Sequence, residues 1–178
     1  MMMPDEVPWA EVRLETLREL TVLDEVPRWN DDETPGPGPA YWEFAIAELE
    51  RREPESAYAI ARSWLTEGVG DGWTRATAWR IVYERDAEYA FAFVEEKRDS
   101  VNLAVLARAL EAHELQVRAL NRHEPADARV VINRRQWLLD IATRCCRTLR
   151  TENSFYAEFI EAFSSVERYL LERRIAER

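Results

Sequence analysis

The sequence predicts an all-α protein, and three features lead to that class. Apolar residues recur at steps of three and four along most of the chain, which is the spacing of one helix face. No run of alternating β-branched residues reads as a strand. The five glycines and eight prolines fall largely between the periodic segments, where they end or begin helices. With 178 residues, 47% of them apolar, the chain can bury one proper core, as one domain or one domain with an appendage.

Residues 8 to 23 place Trp9, Val12, Leu17 and Leu20 near helical spacing with acids between them, so a first helix lies within segment 1–26. Residues 27–40 contain Asp31-Asp32-Glu33 and then Pro35-Gly36-Pro37-Gly38-Pro39, a surface linker that cannot continue a helix. The next helix, 41 to 53, aligns Trp42, Ala45, Ile46 and Leu49. Pro54 ends it and starts another over 55 to 67, which buries Ile60, Ala61, Trp64 and Leu65 and stops at Gly68 with a left-handed cap. Helix 73 to 85 uses Ala78, Trp79, Val82 and Tyr83. Helix 87 to 97 puts Ala90, Phe91 and Val94 on one line and Tyr89 and Phe93 on a second. Asp99 or Ser100 caps a helix of about 100 to 121 carried by Leu103, Leu106, Ala107 and Leu110.

The remaining segment, 122–178, reads as a long helical hairpin. Pro125 and Asp127 open one helix to about 150, and Asn153 or Ser154 opens another to about 176, each roughly 35 Å long at the α-helical rise. Phe155, Phe159, Phe163, Val166 and Leu170, flanked by Tyr156, Ile160 and Leu171, make an apolar arc too wide for one neighbour. That arc belongs in a bundle, within the chain or through self-association over 127–176.

Composition and absences narrow the function. A net charge of −10 argues against indiscriminate binding to nucleic acid or to an anionic membrane. The longest apolar runs, such as Tyr89 to Val94, are about six residues against the roughly 20 that a spanning helix needs, so no membrane contact is expected. Met1 to Glu6 lacks the basic and apolar regions of a secretory leader, so a cytoplasmic location is expected, that of the host cell if the protein is viral. Cys145 and Cys146 are neighbours on one helix, point about 100° apart and read as buried thiols. His113 and His123 read as surface groups without ligand spacing, so neither a metal nor a cofactor is expected. Gly68, Gly70 and Gly72 lack the lysine and the preceding strand of a phosphate loop and read as a helix connection. The carboxylates are spread along solvent faces with no convergent acid-base pair, so no catalytic residue is named and the chain reads as a non-enzyme.

An internal echo adds a relationship between helices. Arg52-Glu53-Pro54-Glu55-Ser56-Ala57-Tyr58-Ala59-Ile60 matches Arg85-Asp86-Ala87-Glu88-Tyr89-Ala90-Phe91-Ala92-Phe93, 33 residues on, in charge, small residue and large residue. Asp71-Gly72-Trp73, followed by Ala78 and Val82, is echoed by Asp99-Ser100-Val101, followed by Leu106 and Leu110. The stretch from Tyr41 to about Leu110 therefore resembles the HEAT-like α-α repeats. In that family an aspartate opens a helix, an arginine sits one turn on, here Arg75, and alanines let neighbouring helices approach. The resemblance implies stacked antiparallel helix pairs over 41–121, followed by the bundle of long helices. It also implies a ridged surface that binds another macromolecule, most simply a protein.

A second resemblance is to the small terminase subunits of tailed viruses, which recognise viral DNA and assemble as rings for genome packaging. Glu55-Ser56, Ala59-Ile60 and Arg62 are similar to the first helix of that family's helix-turn-helix, and Ala76-Thr77-Ala78-Trp79-Arg80 to its recognition helix. Ala128-Arg129-Val130-Val131-Ile132, Arg135 and Trp137 match an arm of its oligomerisation hairpin. The family's basic-aromatic tail is missing, since Leu138-Leu139-Asp140 continues the helix. This resemblance implies DNA as partner, with Arg75, Thr77 and Arg80 contacting it.

Charge is unevenly placed. Residues 1–53 carry −9, whereas residues 100–151 carry +4. On a helical projection Arg129, Asn133, Gln136, Arg144 and Arg147 share one polar face with Trp137 nearby, a candidate surface for phosphates or an acidic partner. Arg135 projects instead into the apolar arc of Val131, Leu138, Leu139 and Ala142. A buried guanidinium there needs a carboxylate, such as Asp140 of a neighbouring chain or an acid on another helix.

Overall fold

The computed structural model describes residues 6–22, 41–70, 72–120, 134 and 137–144. Among them every regular element is a helix, which establishes the all-α class. The chain divides into two compact units, Met1–Arg85 and Asp86–Arg178. The linker 27–40, Cys145, Cys146, His123 and the last helix of the hairpin lie outside the described residues.

In the first unit a 3-10 turn at Trp9–Glu11 precedes α1 (Leu14–Leu20), α2 (Tyr41–Arg52), α3 (Pro54–Glu67) and α4 (Gly72–Arg85). The single first helix expected from the periodicity is thus split. Val12 and Arg13 adopt extended backbone, ψ 138° and 144°, which breaks the helix between Trp9 and Leu17. Leu17 is fully buried, and Arg52 Nη1 donates to the Val12 carbonyl at 2.6 Å, tying the extended break to the last turn of α2.

Each helix of this unit packs on its chain neighbour, α1 on α2, α2 on α3 and α3 on α4. Ala45, Ile46 and Leu49 of α2 are buried as their spacing predicts. On α3 the buried line is Ala57, Ala61, Trp64 and Leu65, with Ile60 only half-buried. Ala61, Trp64 and Leu65 thus lie inward as expected, and Ala57 takes the place of Ile60 at the edge of the same line. Aromatic pairs join neighbouring elements, Trp42 meeting Trp64 edge-on at 5.5 Å and Trp9 stacking on Phe44 at 5.6 Å, while within α4 Trp79 stacks on Tyr83 at 5.1 Å. Helix α4 is buried on more than one side, because Thr74, Ala76 and Ile81 join Ala78, Trp79 and Val82.

The turn between α3 and α4 is set by two glycines. Gly68 caps α3 in the left-handed region, φ 70°, and its N–H donates to the Trp64 carbonyl. Gly70, φ 83°, lies so close to α4 that an added Cβ would stand 2.4 Å from Thr74 Cβ.

The second unit begins with α5 (Ala87–Glu96) and α6 (Leu103–Leu120), which pack on each other. Ala90, Phe91 and Val94 are buried, while Tyr89 and Phe93 are half-buried. Neither Asp99 nor Ser100 caps α6. Asn102 does, its Oδ1 accepting from Ala104 N at 2.9 Å and Val105 N at 3.4 Å. His113, expected at the surface, is fully buried on α6 beside Ala109, Leu110 and Ala112 in sequence. Arg134 and residues 137–144 are helical, with Leu138, Ile141 and Ala142 buried.

The internal echo has a structural counterpart at its starting points. One residue joins α2 to α3 and one joins α4 to α5. Glu53 and Asp86 hold nearly the same backbone, φ −143°, ψ 67° and φ −145°, ψ 79°.

The two glycines differ in their tolerance of a side chain. Gly68→Ala meets only the Arg75 Nη2 atom at 3.8 Å, so it should cost about 1 kcal/mol, the left-handed penalty. Gly70→Ala should cost distinctly more, because the clash with Thr74 adds to the same penalty. Urea midpoints of the two variants check this order.

Candidate functional site

Arg75, Thr77 and Arg80 all lie on α4, but they do not form an open cationic face. Arg80 grips Glu50 of α2 with both ends of its fork, Nη1 to Oε1 at 3.0 Å and Nη2 to Oε2 at 2.8 Å. The same Nη1 also reaches Glu84 at 2.9 Å, the i,i+4 pairing visible in the sequence. Hydrogen bonding to Glu50, with Glu84 adding to it, holds the Arg80 guanidinium firmly in its charged form. Arg75 turns back to donate from Nη2 to the Gly68 carbonyl, closing the α3–α4 turn, and its Nε is buried without a hydrogen bond. Thr77 is half-buried.

Arginine–carboxylate pairing continues along the helix junctions of the first unit. Glu53, at the α2–α3 corner, accepts from Ser56 Oγ at 2.6 Å and from Arg18 Nη2 of α1. Those two donors, the serine first, hold the Glu53 carboxyl below the usual carboxylate range. Glu48 accepts from Arg51 Nε at 3.0 Å and Nη2 at 2.6 Å, which lowers its pKa in the same sense and raises that of Arg51. Arg85 pairs with Glu55 across the α3–α4 pair.

The polar face proposed for 127–150 is described only in part. Arg144 is exposed and bonds Asp99 Oδ1 at 2.6 Å, and Trp137 is half-buried. Arg129, Gln136, Arg147 and Arg135 lie outside the described residues. The buried guanidinium that is seen belongs to Arg134. Its Nη2 donates to both oxygens of Glu88 at 2.9 Å, its Nη1 donates to Gln116 Oε1 at 2.9 Å, and its Cζ lies over the Phe91 ring, 3.9 Å from the centroid. The side chain of Arg134 is 6% exposed against 76% for Glu88. Sequence reasoning counted Arg134 only as part of the basic segment. The available signal was its four-, seven- and eight-residue spacing from Leu138, Ile141 and Ala142, the three positions buried behind it.

Among the described residues no group of His, Cys, Asp and Glu is arranged to hold a metal ion, and no helix is long and apolar enough to cross a membrane. No protein family, no curated protein and no solved structure matches this chain.

Two measurements probe these pairs. A double-mutant cycle on Arg80→Ala and Glu50→Ala should give a coupling of roughly 0.5–1 kcal/mol, modest because the Arg80 side chain is 40% exposed and screened by water. Glu53 is more acidic folded than unfolded, so its stabilisation is complete above the usual carboxylate range and is lost as pH falls through its lowered folded value. Glu53→Gln should therefore flatten the acid limb of a stability–pH profile while leaving its neutral-to-basic part parallel to wild type.

Proposed function

We propose that this chain is a non-enzymatic interaction or assembly protein that binds another protein through its helical surface, with HEAT-like stacking of helix pairs in the region 41–121. The observation that carries this reading is the commitment of Arg75 and Arg80. Both donate to acceptors inside the first unit, so two of the three arginines of α4 are already engaged by the protein itself. The exposed N-terminal side of the same unit is acidic instead, with Glu11, Glu15 and Glu19 at four-residue steps. A cationic protein segment suits that surface better than nucleic acid. A cytoplasmic location accompanies this reading.

One observation favours a second reading, the DNA-recognising small terminase subunit. The connection from α3 to α4 is only the four residues 68–71, between helices that pack on each other, and a helix-turn-helix uses a turn of that length. Under this reading Arg75 and Arg80 exchange their internal partners for phosphates.

Fluorescence anisotropy with duplex DNA at about 0.15 M salt, beside light scattering on a sizing column, separates the two. A protein-binding module gives no salt-resistant duplex binding and a small particle, monomer or dimer. A terminase subunit gives a closed ring of about eight or more chains. It also binds duplex DNA specifically, and Arg75→Ala with Arg80→Ala abolishes that binding at unchanged circular dichroism.

A further inference from the structure

We propose that Arg134 and the helical residues 137–144 act as a releasable strap on the second unit, and that a single exposed carboxylate, Glu88, sets its hold. The inference is independent of the binding partner proposed above. Arg134 is fastened to Glu88 in the first turn of α5, and Arg144 to Asp99, just beyond the end of α5. Ten residues separate the arginines and eleven separate the acids, so the strap runs beside α5 in the same direction, at nearly matched length, with a clasp at each end. Between the clasps it contributes three buried apolar side chains, Leu138, Ile141 and Ala142. Helix α6 contributes Leu103, Val105, Leu106, Ala109, Leu110 and Ala112.

The two clasps are unequal. Arg144 and Asp99 are 51% and 74% exposed, a pair that water and salt screen. Arg134 has been withdrawn from water onto the Phe91 ring, where its charge is tolerated only while Glu88 and Gln116 occupy its donors. Glu88 itself remains open to solvent. Loss of the Glu88 charge leaves a desolvated cation whose best alternative is water, and reaching water carries the strap off α5. Helices α5 and α6 also pack on each other directly, beside the Arg134 side chain that Glu88 of α5 and Gln116 of α6 share.

Hydrogen exchange read by mass spectrometry on the full chain tests the strap. In Glu88→Gln, amides of 137–144 should exchange at least about ten-fold faster, while Leu103–Leu120 and the first unit keep wild-type rates. Adding Arg134→Met, which removes the buried charge and keeps most of the length, should restore protection of 137–144. Exchange of 137–144 only in step with α6, in wild type and Glu88→Gln alike, would overturn the proposal, as would failure of Arg134→Met to restore protection. Asp99→Asn, the milder variant, keeps the question open to test if Glu88→Gln does not fold. It should speed exchange by at most a few-fold and only at the 141–144 end, and a larger loss of protection across 137–144 or a rise across α6 would sink the idea.

Discussion

Close approach of helices through alanine is the constraint on which this structure depends. Helices α2, α3 and α4 are 12, 14 and 14 residues long, lengths at which an isolated helix in water is marginal, so tertiary packing has to supply their stability. Ala45, Ala57, Ala61 and Ala78 are fully buried and Ala76 is nearly so. Small side chains at these positions bring the backbones together and leave room beside them for Trp64 and Trp79. The large residues then fill the space that the small ones create, which is why single tryptophans serve as the bulk of so compact a core.

Arginine is handled in two ways around that core. On the first unit it is held at the rim, where Arg80 fastens α4 to α2 and Arg18 fastens α1 to the α2–α3 corner through carboxylates that remain partly wet. Pairs of this kind add little energy and considerable register, since a planar fork accepts a carboxylate from one direction only. In the second unit Arg134 is withdrawn almost wholly from water and its guanidinium lies over the Phe91 ring. There the energetic stake is reversed, because the cost falls on whatever disturbs the pair. The surface left for a partner on the first unit is consequently poorer in free positive charge than the arginine count suggests.

The two single-residue corners show how one local device can serve different ends. Glu53 and Asp86 share a backbone conformation and each stands before a helix. Asp86 is short enough to accept from the Tyr89 amide at 3.0 Å, three residues on, as a helix cap. Glu53 is one methylene longer, reaches the Ser56 hydroxyl instead, and its remaining capacity gathers Arg18 from α1. An echo in sequence thus preserves the turn of the chain while the side chain decides whether the corner is a cap or a crosslink.

Period and punctuation alone determined the helical class, the stripe of α2, the start of α3 at Pro54 and its left-handed end at Gly68, because each follows from backbone geometry within a few residues. Tertiary structure decided which of several adjacent apolar lines turned inward. On α3 Ala57 took the place of Ile60 beside Ala61, Trp64 and Leu65, and near 134–142 a guanidinium at 134 joined Leu138, Ile141 and Ala142 among the buried positions, since a wide apolar face leaves its rotation free by a fraction of a turn. The pairing of Arg80 with Glu50, of Arg134 with Glu88 and Phe91, and the burial of His113 were invisible in the sequence for the same reason. Each joins positions 30 or more residues apart or depends on what covers a helix, and no local spacing encodes that.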